Sequence, residues 1–140
     1  MISFAQSLGY DIVAAGKGKN NPLKFDSVPA DYEAEARTRN MNAPMLVECI
    51  DGAKIMVEMV AVANATGLVP DGPGMHGPKA TREELAQVLC TKADGGILPR
   101  SGVVDYSIGK GVAPGVFCIV KPRHPRVLDS MIDLKVGPGP

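Results

Sequence analysis

Tryptophan is absent from this chain of 140 residues, and three Phe and three Tyr are its whole aromatic content. Charge of one sign is missing too, because 15 basic residues balance 15 acidic ones. Without a basic excess, or aromatics interleaved with Lys and Arg, the footprint of a nucleic-acid binder is lacking. No apolar stretch approaches the roughly 20 residues that span a bilayer, and the start has neither the basic head nor the cleavage site of a signal peptide. Neither nucleic acid nor membrane is therefore an expected partner. The three cysteines, Cys49, Cys90 and Cys118, are odd in number, far apart and set in apolar segments. They argue against a disulfide framework or a CxxC zinc site and read as buried thiols in a reducing compartment, so the expected location is cytoplasmic.

Several catalytic signatures are missing as well. The segment "GKGKNN" matches neither the Walker A pattern nor GxGxxG, since it lacks the third glycine and the following helix, so no cofactor-binding residue is expected in this chain. HExxH and GxSxG do not occur, which leaves zinc-peptidase and serine-hydrolase chemistry without support.

What is present is a chain with 45% hydrophobic residues, enough for one core and one domain over residues 1–140. Ile2, Phe4, Ala5 and Leu8 suit the end of an amphipathic helix, stopped by Gly9 and followed by a strand from Tyr10 to Ala15. The tip at residues 16–24 carries Lys17, Lys19, Asn20 and Asn21 at the carboxyl end of that strand, where α/β sheets commonly bind ligands. Lysines there can hold a phosphate or carboxylate, or polarise a carbonyl as hydride arrives. The same composition also fits an ordinary surface loop.

A solvent-facing helix is predicted from Ser27 or Pro29 to about Asn40. Next, Asn42 as N-cap, Pro44 in the first turn and Gly67 as stop predict one long, buried helix. On its wheel Asp51, Lys54 and Glu58 fall within an arc of roughly 60°. Buried charges need partners or water. The stripe is either an internal ladder of opposite charges or the polar wall of an active site, and both readings remain open.

The loop "GLVPDGPGMHGP" holds four glycines and three prolines, which forbid helix and central strand, and it sets Met75 and His76 between glycines that permit close approach to a ligand. His124 lacks such a setting and reads as surface. Thr81 and Glu84 stand in capping-box register before a helix with Leu85, Val88 and Leu89 on its apolar face. Two strands, Val103 to Ile108 and Gly115 to Lys121, are predicted to form a β-hairpin through a Gly-rich turn. A closing helix follows over Arg126 to Leu134, and "VGPGP" reads as a frayed end.

Three segments, "SLGYDIVAAGKGKNNPL", "DGAKIMVEMVAVANATGLVPDGPGMHGP" and "DGGILPRSGVVDY", together resemble the central catalytic domain of homoserine-dehydrogenase-like oxidoreductases, including a deoxyxylulose-phosphate reductoisomerase-like enzyme. The resemblance covers nearly the whole chain. It implies an α/β substrate domain with a mixed sheet and packed helices, lacking the N-terminal Rossmann domain that binds NADP or NAD, and lacking a C-terminal SAF-like domain. The half-helix at Met1 fits that expectation of a piece of a longer oxidoreductase. The resemblance further implies that Lys17 and Lys19 meet the substrate's phosphate or carbonyl, and that Asp51, Lys54 and Glu58 serve proton transfer and positioning. His76 would close over the substrate, and Asn20 and Asn21 would orient its hydroxyls. A divalent metal is left open, because Asp51 and Glu58 are hard-oxygen donors. A homo-oligomer acting on a small-molecule substrate is expected, with a non-catalytic oligomerisation or small-molecule-binding module as the alternative.

Overall fold

A computed structural model describes residues 1–136. It shows an α/β domain built on one mixed four-stranded sheet of order β2-β3-β1-β4, where β1 is Tyr10–Lys19, β2 Val69–Pro70, β3 Val103–Ile108 and β4 Val116–Pro122. Six helices accompany it among the described residues: α1 Ile2–Ser7, α2 Glu33–Thr38, α3 Ala43–Glu48, α4 Ala53–Thr66, α5 Leu85–Val88 and α6 Pro125–Asp133. The expected frayed end falls partly on residues 137–140, which lie outside the described ones.

The central strand β1 runs parallel to β3 and antiparallel to β4. The expected β-hairpin is therefore corrected: β3 and β4 are consecutive in sequence, but β1 lies between them. The glycines of β1 show why. A Cβ on Gly16 would sit 1.6 Å from the Asp105 carbonyl oxygen, and one on Gly18 would sit 1.8 Å from that of Val112. Gly16 thus lets β3 lie close against β1, and the absence of a side chain at Gly18 lets the 109–115 connection cross over the strand's end, where the Gly18 N–H donates to the Gly115 carbonyl at 2.9 Å.

Side chains alternate across the sheet and bury two apolar clusters. On one face Val13, Ala14 and Val103 pack with Leu85, Leu89 and Leu98. On the other Ala15, Val104 and Tyr106 pack with Ala5, Ile55 and Met59 of the helices. The strand β1 also runs further than the sequence indicates, to Lys19 rather than Ala15, because both neighbours continue to pair with it. Lys17 and Lys19 are thus strand residues, held by the sheet rather than by a loop.

The long buried helix is corrected in two respects. Asn42 does cap a helix, its Oδ1 accepting the Met45 N–H at 2.7 Å, but the chain breaks at Gly52, whose φ of 96° is left-handed. What results is α3 and, in a new direction, α4, ended by Gly67 at φ 74°. Only one side of α4 is buried, through Ile55 and Met59, while Val57 and Val60 are exposed. The helix predicted over residues 27–40 divides into a 3₁₀ turn at Pro29–Tyr32 and α2, mostly exposed as expected. Thr81 and Glu84 make the reciprocal capping bonds, with the Thr81 N–H donating to Glu84 Oε2 at 2.9 Å, ahead of a single turn of helix. His124 caps α6, its Nδ1 accepting the Arg126 N–H at 3.2 Å. The cysteines are free but only half-buried, short of the fully buried thiols expected, and burial pushes the Cys118 thiol up.

Candidate functional site

At the carboxyl end of β1 a cleft of about 230 Å³ opens between the strand, the start of α4 and the crossing 109–115 connection. Lys17, Lys19, Asn20, Asn21 and Lys54 line it, beside Cys49 and Pro114. Five of the eight residues singled out from sequence thus share one wall of solvent-open space. The sheet supplies the reason: Lys17 and Lys19 are two residues apart on a strand, so both project to the α4 face.

Glu58 joins the cleft through Lys17, with which it forms a half-buried ion pair between strand and helix. Lys19 donates to the Cys49 carbonyl at 2.6 Å, which anchors its ammonium at the end of α3. Burial, with the Lys17 charge assisting, holds the Lys19 amine below its ordinary range, while Cys49 and Asp51 act in the opposite sense. Lys54 is exposed on the first turn of α4.

The common stripe of Asp51, Lys54 and Glu58 is corrected, because Asp51 precedes the break at Gly52 and does not belong to the wheel of α4. Its Oδ1 accepts the Ala53 N–H at 2.8 Å and so starts the new helix. A metal ion shared by Asp51 and Glu58 does not fit this geometry, since one carboxylate is engaged at a helix start and the other by an ammonium. No group of three or more His, Cys, Asp or Glu that could hold a metal ion occurs among the described residues. A dinucleotide cradle does not fit the Gly-Lys segment either, because residues 16–19 are paired strand rather than a turn opening a helix.

His76 lies in a second cluster at the free edge of β3. Its Nδ1 is 2.8 Å from Asp105 Oδ2 and its Nε2 is 3.2 Å from Asp71 Oδ2, while Arg100 stands 3.5 Å from the other oxygen of Asp71. Asp105, which the sequence reading missed, is fully buried. Its carboxylate accepts the N–H groups of His76 at 3.2 Å, Gly77 at 2.9 Å and Tyr106 at 2.8 Å. It supplies acceptors where β3 has no neighbouring strand, between the pairing of Pro70 with Val104 and that of Lys79 with Ile108. The signal available in sequence was an Asp inside "VVDYSI", an otherwise apolar strand. His76 forms no hydrogen bond to the lysines of the cleft among the described residues. Met75, at a left-handed φ of 63°, turns inward and packs with the Tyr106 and Met59 cluster.

No helix among the described residues is long and apolar enough to cross a membrane. The family model described as oxidoreductase DRL, catalytic domain, matches residues 1–140, the full length of the chain. No curated protein matches it.

Proposed function

Because the chain belongs to the family of DRL oxidoreductase catalytic domains, we propose that the cleft at the end of β1 is the substrate site of an NAD(P)-dependent oxidoreductase, similar to deoxyxylulose-phosphate reductoisomerases or homoserine dehydrogenases. Its substrate is a small molecule with a carbonyl next to hydroxyls, carrying a phosphate or carboxylate. The observation that carries this reading is the Lys17–Glu58 pair at a cleft that also holds Lys19, Lys54, Asn20 and Asn21.

An ion pair this exposed contributes about 0–1 kcal/mol to stability. Its value lies in chemistry: Glu58 fixes the Lys17 ammonium beside the space where a carbonyl oxygen gains charge, and preorganised charge acts most strongly there. Lys19 and Lys54 attract the anionic end of the substrate, and Asn20 and Asn21 hydrogen-bond its hydroxyls. Asp51 stabilises the start of α4, from which Lys54 projects. Asp105 orients His76, and the two hold the 71–77 loop at the sheet edge, apart from the cleft. A nicotinamide cofactor, when bound, would supply or take the hydride. The reading places the protein in the cytoplasm.

Lys17→Ala and Glu58→Gln, assayed with NADPH and a panel of phosphorylated hydroxy ketones and amino-acid semialdehydes, are expected to lower kcat/KM about 100-fold or more, with circular dichroism unchanged. Activity within twofold of the unmodified protein would remove this site. A second reading, an oligomerisation module, is favoured by the unburied apolar surface of α4 and α6, where Val57, Val60 and Ile132 are exposed. It is compatible with a catalytic role, and as the sole role it leaves the Lys17 and Glu58 variants with unchanged turnover.

A further inference from the structure

We infer that the free edge of β4 is a homodimer surface, on which a second copy of this chain lays its own β4 antiparallel about a twofold axis and joins the two sheets into one. β4 ends the sheet, with β1 on one side and no strand on the other. The Gly18 N–H donates to the Gly115 carbonyl, and the same ladder sets Phe117 opposite Gly16 and Ile119 opposite Ala14, so these residues turn their backbone polar groups toward β1. The alternation of an antiparallel ladder then sends the N–H and C=O groups of Val116 and Cys118 outward. No backbone group of a turn, loop or other element bonds them among the described residues.

The two edges of the sheet are built differently. On the far side β2 is only two residues long and one of them is Pro70, while the Asp105 carboxylate and the bridge from Lys79 to Ile108 satisfy β3 beyond it. Short strands, proline and charge are the usual guards of an edge against pairing with another chain. β4 has none of them from Val116 to Val120, which are all apolar. The charge of Lys121 is turned to Asp94, and proline arrives only at Pro122. One edge is closed and the other is left open.

A second copy fits this edge because the run is self-complementary. With the axis at Cys118, Val116 faces the partner's Val120, Phe117 faces the partner's Ile119 and Lys121 faces the partner's Gly115, so apolar meets apolar and no like charges are opposed. A twofold contact of this kind closes on itself as a dimer. Strand pairing alone buries little of the ~1,200–2,000 Å² of a stable interface, and α6 supplies more. It follows β4 directly, buries none of its residues, joins neither apolar cluster and exposes Leu128 and Ile132 one turn apart. In this register Pro122 lies opposite the partner's Pro114, so α6 starts beside the 109–115 connection that walls the partner's cleft.

The test is sedimentation velocity and amide hydrogen exchange on this chain, unmodified and as Val116→Pro. Val116 is exposed and its N–H points outward, so proline there removes a donor from the new pairing and none from the ladder with β1. The expected result is a species of twice 14.7 kDa, with Val116 and Cys118 amides whose exchange slows as protein concentration rises. The Phe117 and Ile119 amides, bonded to β1, stay protected at every concentration. The twofold axis removes two hydrogen bonds at once in Val116→Pro, which should weaken association about tenfold or more, with circular dichroism unchanged. Should that variant fail to fold, the exchange of the unmodified protein decides alone. A monomer throughout the micromolar range with fast exchange at Val116 and Cys118 overturns the proposal. So does a dimer in which those two amides exchange freely, which would place the contact elsewhere, such as at the exposed Val57 and Val60 of α4. Protection that does not vary with concentration overturns it too, because the edge would then be covered within one chain.

Discussion

Replacing Asp105 tests the edge of the sheet more severely than any other single change. In Asp105→Ala, three backbone N–H groups at His76, Gly77 and Tyr106, together with the His76 ring, lose their common acceptor. The carboxylate is wholly buried, so water cannot replace it without opening the loop. A buried donor left unsatisfied costs about 1–3 kcal/mol. Partial rescue by solvent on the half-exposed His76 side leaves a net loss of about 3–5 kcal/mol, the range for breaking a buried charged network. That is a large share of the ~5–15 kcal/mol that stabilises an ordinary domain. Asp105→Asn keeps one acceptor oxygen, which can hold the His76, Gly77 and Tyr106 N–H groups at Oδ1, but turns an NH₂ group toward the Nδ1 of the His76 ring. It is expected to cost about 1–3 kcal/mol, in line with one unsatisfied buried donor. Urea unfolding followed by far-ultraviolet circular dichroism gives both values, and amide exchange should accelerate first at His76 and Gly77. A loss below ~1 kcal/mol for Asp105→Ala, smaller than the cost of one unpaired buried donor, would refute the account of Asp105 as the acceptor that holds the loop.

Gly18→Ala is expected to destabilise by at least the ~1–3 kcal/mol of overpacking, because its Cβ would meet backbone atoms of Val112 that no rotamer change can move aside. The control Gly72→Ala meets nothing within 4 Å and should cost far less, so equal losses in thermal unfolding would contradict the crossing explanation. Lys19 gives a pH prediction. Its folded value is lowered beneath the ordinary 10.5, so between the two values the unfolded chain binds more protons and stability contributed by this residue rises with pH. Lys19→Gln should therefore gain less stability than the unmodified protein as pH is raised toward 10.5. A stability difference between the two that does not vary with pH would contradict the desolvation of Lys19.

Much of the local structure is legible in the sequence because caps and stops act over a few residues. Asn42, the Thr81–Glu84 box and Gly67 each serve where the pattern places them, and β3 occupies Val103–Ile108 as the apolar run indicates. Gly52 was also visible, but a glycine inside an apolar stretch reads equally as a tolerated helix residue. Its left-handed φ arises as the chain turns from α3 into α4 over Leu23 and Phe25, contacts made only in the folded chain. The Asp51–Lys54–Glu58 stripe failed for that reason. Lys17, Lys19, Lys54, Asn20 and Asn21 were found as residue types near a strand end, whereas their convergence on one cleft depends on strand length and on a connection arriving from residues 109–115.

The sequence by itself determined the α/β class, the start and stop of most elements, the charge balance and the lysine-bearing strand, since all of these follow from side-chain chemistry and short-range backbone preference. Only the tertiary structure decided the strand order, the separation of Asp51 from Glu58, and the service of Asp105 as acceptor for a loop 28 residues away. Those features depend on which surfaces meet across long separations, as when the side-chain-free Gly18 lets a connection cross β1. Periodicity carries no record of such meetings.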